Sequence, residues 1–256
     1  MSENQMAPQM QAQHFKQIGN HNYMKKKFDA ALTNYRKAIE LEPKEITYYL
    51  NTAAVYFEME NYAECVRICN KAVQIGQENQ ADPKMVAKAL ARMGRAYRMS
   101  GDLKNAKMAY EKALTEHQMP DYRSCLIEIE KQWDMSEIKK QKGNECFKSG
   151  DIIAAIKCYS EAIFQNPTDA KLYSNRAACF TKLMSFDLAV KDCNKCIELD
   201  PGFAKGYRRK AKALQAMGQN SKAMAAYEKA LEIDSNCSEA IDGVKSCTVQ
   251  KNSKVI

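Results

Sequence analysis

Residues 159–167 read YSEAIFQNP, and residues 193–201, 34 positions later, read CNKCIELDP. After another 34 positions residues 227–235 read YEKALEIDS, and near the start of the chain residues 35–43 read YRKAIELEP. Each segment has apolar and small residues at helical spacing and ends in Pro or Ser, where a helix stops. A period of this length, repeated along the chain, predicts a solenoid of helix–turn–helix repeats.

Six repeats begin at residues 12, 46, 87, 136, 170 and 204. The eighth, twentieth and twenty-seventh positions of each repeat hold small side chains, which in the first repeat are Gly19, Ala31 and Ala38. Small side chains at these positions let the two helices of a repeat approach closely. The pattern resembles the tetratricopeptide repeat. We therefore predict an all-α fold, a right-handed superhelical tetratricopeptide-repeat solenoid of two three-repeat modules, each with a capping helix.

Irregular spacing between the repeats divides the chain. Extra residues around Gln77–Lys84 predict longer helices or a longer loop before the third repeat. A wider gap follows the third repeat, where Leu126, Ile129 and Trp133 predict a helix packed on the exposed end of the first module. The predicted organisation is a flexible N-terminus (1–11), a first module (12–119), a capping and linker helix (120–135), a second module (136–237), a second capping helix (238–247) and a flexible tail (248–256).

The composition narrows the class of protein. Hydrophobic residues make up 45% and charged residues 27% of the chain, which is typical of a globular protein. No apolar run approaches the roughly 18 residues of a membrane span, and no signal-peptide pattern is present. The ten cysteines are therefore expected to be reduced, and the protein to be cytoplasmic without membrane insertion. The net charge of +8 is shared evenly between the two halves, which suits two similar sites for acidic partners.

Five polar residues recur at matching positions in the two halves. The first helices of three successive repeats should line one groove and bring these side chains together, since residues four apart share a helix face. Arg can bind a carboxylate through two hydrogen bonds, and an Asn amide donates without adding charge. Three cations and two amides without a paired acid therefore predict a site for peptide carboxylates. The two sets are Lys16, Asn20, Asn51, Lys88 and Arg92, and Lys140, Asn144, Asn175, Lys205 and Arg209.

The segments that carry these residues resemble the two-carboxylate clamps of heat-shock co-chaperones. They read KQIGN, YYLN and KALAR in the first half, and KQKGN, YSN and KGYRR in the second. Longer stretches, ITYYLNTAAVYFE and KLYSNRAACFTKL, resemble the paired middle modules of the Hop family (heat-shock organising protein, or stress-inducible phosphoprotein). The resemblance covers about residues 12–247 and does not include the further N-terminal module and Asp-Pro-rich domains usual in that family.

The resemblance implies an adaptor whose two clamps hold the Glu-Glu-Val-Asp C-termini of heat-shock proteins 90 and 70 and bridge these chaperones for client folding. It implies that the first module prefers heat-shock protein 90 and the second heat-shock protein 70. Tyr23 and Glu58 are implied as accessory contacts to residues upstream of the carboxylate. Arg95, where the family commonly has Asn, is a third candidate for this accessory role.

Other interpretations stay open. A mitochondrial-import co-chaperone also carries two such repeat triplets, and other repeat scaffolds bind acidic peptide C-termini. Cys193 and Cys196 form a CxxC, but they fall at packing positions without further ligands, so we expect neither a metal nor a cofactor. No nucleophile–base pair is visible, so we expect no catalytic residues and no enzymatic activity. The dispersed cations argue against nucleic acid as a partner, and we expect a monomer.

Overall fold

The computed structural model describes residues 7–252, with the side chains of residues 7–248. Within that range the chain forms thirteen α-helices and no strand, which confirms the all-α repeat array. None of these helices is long and apolar enough to cross a membrane. The helices are α1 (Pro8–Met24), α2 (Phe28–Leu41), α3 (Ile46–Glu58), α4 (Tyr62–Glu78), α5 (Pro83–Met99), α6 (Leu103–Glu116), α7 (Pro120–Ser149), α8 (Ile152–Gln165), α9 (Ala170–Lys182), α10 (Phe186–Leu199), α11 (Ala204–Ala216), α12 (Asn220–Ile233) and α13 (Ser238–Asn252).

The chain divides into two compact units, Met1–Lys131 and Gln132–Ile256, here called the N-terminal and C-terminal units. The division falls inside α7, which runs through the predicted boundary between the linker helix and the second module. Helix α7 contains no proline after its first residue, and it ends just before Gly150, whose φ is +89°.

The chain ends also differ from the expected organisation. Helix α1 begins at Pro8, inside the stretch expected to be flexible, because proline suits the first position of a helix. Helix α13 extends to Asn252, beyond the predicted end of the second capping helix. The remaining parts of the two predicted flexible ends, residues 1–6 and 253–256, lie outside the described residues.

The core of the N-terminal unit is continuous from α3 to α7. Leu50, Leu103 and Tyr110 are buried together with Ile129 of α7, so this part of α7 covers the end of the third repeat. Trp133, which the spacing placed on the same covering face, is 41% exposed. The expectation for Trp133 was wrong because the residue lies just beyond the point at which the N-terminal unit ends.

The extra residues before the third repeat lengthen the helices on both sides of the connection, which was one of the two predicted alternatives. Helices α4 and α5 each have 17 residues, whereas their counterparts α10 and α11 have 14 and 13.

In the C-terminal unit the core is formed between successive helix pairs. Tyr159 and Leu172 are buried between α8 and α9, and Tyr227 and Leu214 between α11 and α12. A large tyrosine fills this position in repeats four and six, and the smaller Cys193 fills it in repeat five, where it packs with Ala177 and Ala189.

The turn inside each repeat has one conformation. The fifteenth residue of all six repeats has a φ between +56° and +89°, in the left-handed region. Three of these residues are glycines, for which that conformation costs little, and three carry side chains. They are Gly101, Gly150, Gly218, Lys26, Glu60 and Met184.

Helix pairs approach closely where glycine faces tyrosine. A Cβ at Gly19 would lie 2.5 Å from Cε1 of Tyr35, and a Cβ at Gly143 would lie 2.8 Å from Cε1 of Tyr159. Both rings are only 2% exposed, so they have little room to move.

Gly143→Ala is expected to lower the free energy of unfolding by about 1–3 kcal/mol, the usual cost of overpacking a core. Urea denaturation followed by circular dichroism measures the change. Gly202→Ala is the control, because its Cβ would lie 3.4 Å from Asp200 Oδ1 in an exposed turn. Equal stability of the two variants would contradict the packing role of Gly143.

Candidate functional site: two carboxylate-binding grooves

In the N-terminal unit, the side chain of Asn20 is held by donors from two other helices. Its Oδ1 accepts a hydrogen bond from the Tyr35 hydroxyl of α2 at 2.7 Å and from Nδ2 of Asn51 on α3 at 3.1 Å. With its oxygen engaged from inside the protein, Asn20 has only its Nδ2 group to offer to a ligand.

The cations of this site come from α1 and α5. Nη1 of Arg92 donates to the carbonyl oxygen of Leu50 on α3 at 2.5 Å, which fixes the half-buried guanidinium beside Asn51. Lys88 lies one turn before Arg92 and is exposed, and Lys16 lies one turn before Asn20 and is half-buried.

Lys88 and Arg92 border a cavity of about 340 Å³, here called the first groove. All three accessory candidates line it. Burial, followed by the nearby charge of Glu58, raises the pKa of Tyr23. The guanidinium of Arg95 lies over the ring of Phe57, with Cζ 4.6 Å from its centroid. The residues that line this groove include Tyr23, Phe57, Glu58, Lys88, Arg92 and Arg95.

The C-terminal unit repeats the arrangement. Oδ1 of Asn144 accepts from the Tyr159 hydroxyl at 2.7 Å and from Nδ2 of Asn175 at 3.3 Å. Nη1 of Arg209 donates to Oγ of Ser174 at 2.7 Å and to Oδ1 of Asn175 at 3.1 Å. Here the guanidinium is fixed by side chains rather than by a backbone carbonyl.

The charged forms of Lys205 and Arg209 are both disfavoured, for different reasons. Burial lowers the pKa of Arg209, and the charge of Arg209 is the main cause of a lowered pKa at Lys205. A ligand that brought negative charge to this place would relieve both effects. The pair therefore has the electrostatics of an anion-binding site.

Lys140 differs from its counterpart Lys16 by having carboxylates within reach. Its Nζ lies 2.5 Å from Oε2 of Glu137 and 3.6 Å from Oδ2 of Asp169. The equivalent residue in the N-terminal unit is Glu45. Both carboxylates accept from a backbone N–H at the start of the next helix, Asp169 from Lys171 at 2.9 Å and Glu45 from Thr47 at 3.0 Å, but only Asp169 lies within 4 Å of the lysine of its site among the described residues. A carboxylate ligand must compete with Glu137 and Asp169 for Lys140.

Lys205 and Arg209 border a cavity of about 270 Å³, here called the second groove. The part of this groove that would face the residues before the last residue of a bound peptide, here called its upstream side, is more basic than the same part of the first groove. Nζ of Lys182 lies 5.2 Å from the ring centroid of Phe147, and Lys212 pairs with Glu239 at 2.7 Å. At the repeat positions of Tyr23, Glu58 and Arg95, this groove has Phe147, Lys182 and Lys212.

The residues that orient the predicted side chains were not predicted from the sequence. No role in the site was predicted for Tyr35, Tyr159, Ser174 or the carbonyl of Leu50. A partial signal existed: the two repeats with Asn at position nine also have Tyr at position twenty-four. It is only partial because Tyr110 and Tyr227 occupy the same position in repeats that lack the Asn.

The cysteines are arranged for packing. All ten are free thiols, and Cys193 and Cys196 are fully buried on α10. Burial raises the pKa of Cys193 to about 12 and that of Cys196 to about 11, so both are protonated at neutral pH. Among the described residues, no group of three or more His, Cys, Asp or Glu could hold a metal ion.

Comparison with protein families assigns the fold to a known class. Models described as "Tetratricopeptide repeat" match residues 44–115, 170–203 and 204–237, and one described as "TPR repeat" matches residues 19–60 and 143–183. These matches, together with the six helix–turn–helix repeats and the two grooves, show that the chain is a tetratricopeptide-repeat protein.

Individual relatives place the chain within that class. "Stress-induced-phosphoprotein 1" of Caenorhabditis elegans is 46% identical over 91% of this chain and 76% of its own length. "Hsp70-Hsp90 organizing protein" of Triticum aestivum is 45% identical over 93% of this chain and 43% of its own length. A solved structure described as "TPR2AB-domain:pHSP90-complex of yeast Sti1" is 37% identical, with a TM-score of 0.46, and covers 93% of this chain and 97% of that one.

The chain belongs to the Hop family, the stress-induced phosphoproteins and Hsp70-Hsp90 organizing proteins, a family of non-enzymatic tetratricopeptide-repeat adaptors. It spans about three quarters of the nematode relative and less than half of the wheat relative.

Tyr159→Phe should weaken the binding of carboxylate peptides to the second groove about three- to tenfold, the worth of one neutral hydrogen bond. The variant removes the shorter of the two bonds to Asn144 Oδ1, so the amide is no longer held towards the ligand. Calorimetric titration of a Lys88→Glu background with a peptide ending in Asp isolates the second groove. Tyr173→Phe is the control, because its hydroxyl bonds the Pro167 carbonyl outside the groove. The same affinity in both variants would show that Tyr159 has no orienting role.

Proposed function

We propose that the protein is a co-chaperone adaptor that binds the acidic Glu-Glu-Val-Asp C-termini of heat-shock proteins 90 and 70, one in each groove. The observation that carries the proposal is the doubled arrangement of an inward-held Asn beside a lysine–arginine pair. The names of the relatives support the choice of partners, since the wheat relative is described as an Hsp70-Hsp90 organizing protein.

The ligand chemistry follows from the two sites. The terminal Asp of such a peptide carries two carboxylates on one residue. In the proposed complex Asn20, Asn51 and Lys16 hold one carboxylate, and Lys88 and Arg92 hold the other. Asn144, Asn175, Lys140, Lys205 and Arg209 act in the same way in the C-terminal unit. Charge-assisted bonds contribute about 1.5–3 kcal/mol each, so a few of them, less the ordering costs, support affinities near micromolar.

The upstream sides of the grooves support different preferences for the two units. The first groove offers an aromatic ring and a carboxylate, Tyr23 and Glu58, together with Arg95 on Phe57. This mixture suits a large apolar or neutral residue before the acidic stretch, and we assign the heat-shock protein 90 terminus to it. The second groove, with Lys182 and Lys212, is assigned to heat-shock protein 70. We also propose that the adaptor is cytoplasmic.

The decisive experiment is calorimetric titration of the whole chain with Met-Glu-Glu-Val-Asp and Ile-Glu-Glu-Val-Asp, each with a free or an amidated C-terminus. Lys88→Glu should weaken binding of the first peptide, and Lys205→Glu binding of the second, by about 10- to 100-fold. Amidation should weaken both. Lys104→Glu and Lys191→Glu are matched controls, because they change the net charge equally on exposed faces of α6 and α10. If both reversals leave both affinities unchanged, the carboxylate-binding role fails.

Bridging has its own test. Sedimentation of the chain with both chaperones should give a ternary complex, which either charge reversal reduces to a single binary complex. Two binary complexes in the wild-type mixture, without a ternary one, would exclude bridging while leaving peptide binding intact.

A further inference from the structure

A third cavity lies on the other side of the C-terminal unit's last repeat. It has a volume of about 510 Å³ and is formed by α10, α11 and α12. Its walls are mainly apolar with a basic rim, and we call it the back groove. The residues that line it include Val190, Tyr207, Lys210, Leu214, Met217 and Lys222.

The back groove is separate from the second groove. Both are lined by α11, but they have no lining residue in common. At about 100° per residue, Tyr207 lies nearly opposite Lys205 and Arg209 on α11, and Lys210 is rotated away from Arg209 by about 100° and from Lys205 by about 140°. A ligand in one groove therefore leaves the other accessible.

Lys210 can be compared with the residue at the same position of the preceding repeat. Its equivalent in repeat five is Arg176, which forms two bonds with Asp192 of α10, Nε to Oδ2 at 2.8 Å and Nη2 to Oδ1 at 2.9 Å. Arg176 also donates to Oγ of Ser160 at 2.9 Å. A cation at this half-buried position is stabilised by a carboxylate from the next helix.

Repeat six lacks that carboxylate. The residue at the position of Asp192 is Ala226 on α12, which borders the back groove. Lys210 is half-buried and forms no ion pair with any side chain described between residues 7 and 248. The groove thus places a cation where the neighbouring repeat places a complete ion pair.

The N-terminal unit shows that the fold does not need a cation there. The residues equivalent to Lys210 and Ala226 are Met93 and Ala109, both buried in the core. Repeat three fills this position with the apolar pair Met93 and Ala109, and repeat five fills it with the ion pair of Arg176 and Asp192. Of repeats three, five and six, only repeat six has a cation there without a carboxylate partner within the described part of the chain.

The rest of the back groove indicates what fills it. Lys222 and Lys229 stand on the rim with Lys210, against one acid, Asp187. Lys229 also pairs with Glu232. Beneath the rim Tyr207, Leu214 and Met217 offer apolar surface. Such a combination complements a chain segment that carries acidic and apolar side chains side by side.

We propose that the back groove binds an acidic, apolar segment of a protein partner. One Asp or Glu of that segment pairs with Lys210, as Asp192 pairs with Arg176, and a neighbouring apolar side chain packs on Tyr207, Leu214 and Met217. Because the acid is a side chain, the segment needs no free C-terminus. The site is therefore independent of carboxylate-terminus binding and can be occupied together with the second groove.

The test uses the whole chain and the peptide acetyl-Asp-Leu-Glu-Asp-Phe-Leu-Glu-amide, whose blocked ends remove the terminal carboxylate. Fluorescence anisotropy of a labelled peptide should show saturable binding. Two matched peptides replace either Leu and Phe by Ser or all acids by Lys, and both should bind at least about tenfold more weakly, as expected for loss of one class of contact.

Variants of the chain locate the binding. Lys222→Glu, on the exposed rim, and Ala226→Asp, which supplies Lys210 with an internal carboxylate, should each weaken binding about tenfold. Lys205→Glu is the control and should leave it unchanged. Circular dichroism checks the folding of Ala226→Asp, and Lys222→Glu keeps the test valid if that variant unfolds.

Four results would overturn the proposal. The first is no saturable binding, and the second is equal binding of the Ser peptide, which would reduce the effect to non-specific charge attraction. The third is loss of binding in Lys205→Glu, which would place the peptide in the second groove. Dimer formation in sedimentation that Lys222→Glu abolishes would assign the back groove to a second copy of the chain instead.

Discussion

The contact of one tyrosine with two adjacent residues of the facing helix links the packing of each unit to its site. Tyr35 lies against Gly19 and donates to Asn20, and Tyr159 does the same with Gly143 and Asn144. The ring can reach the Asn oxygen only because the preceding residue has no side chain. Close packing of the first helix pair and orientation of the ligand-facing amide therefore depend on the same interaction.

The second constraint is electrostatic. Lys205 and Arg209 are held near each other, and Arg209 is partly removed from water, which disfavours both charges. The protein fixes the guanidinium with neutral acceptors, Ser174 and Asn175, rather than with a carboxylate. Neutral acceptors hold the geometry without cancelling the charge, so the potential stays available to an anionic ligand. Lys140 departs from this pattern, since Glu137 and Asp169 already screen it.

Local rules predict the repeat architecture because the same small residues recur in register. The period of 34 and the glycines and alanines at the helix contacts predict the elements, and the matching polar positions predict the candidate site. The common left-handed turn residue was not predicted, because Lys26, Glu60 and Met184 carry no glycine signal. The predicted boundaries differ from the structure in α7, where no residue interrupts the helix, and at Pro8, where a proline that begins α1 was included in the flexible N-terminus.

Tertiary partners were the least predictable part of the site. The bond from Arg92 to the Leu50 carbonyl joins a side chain to a backbone group 42 positions away, and any residue type could supply that carbonyl. Ser174 was equally hidden, because a buried Ser at a packing position looks like any other small residue. Contacts of this kind follow from the packing of three helices, which the repeat pattern implies only in outline.

The placement of each site across three repeats has a consequence for the cooperativity of unfolding. In a repeat array each repeat contacts mainly its neighbours, so end repeats can fray on their own. A peptide held by α1, α3 and α5 would join the first repeat to the third, which are not neighbours in sequence. Fraying of the terminal repeat would then cost the binding free energy as well. An occupied array would open as one block, whereas an empty one opens from its ends.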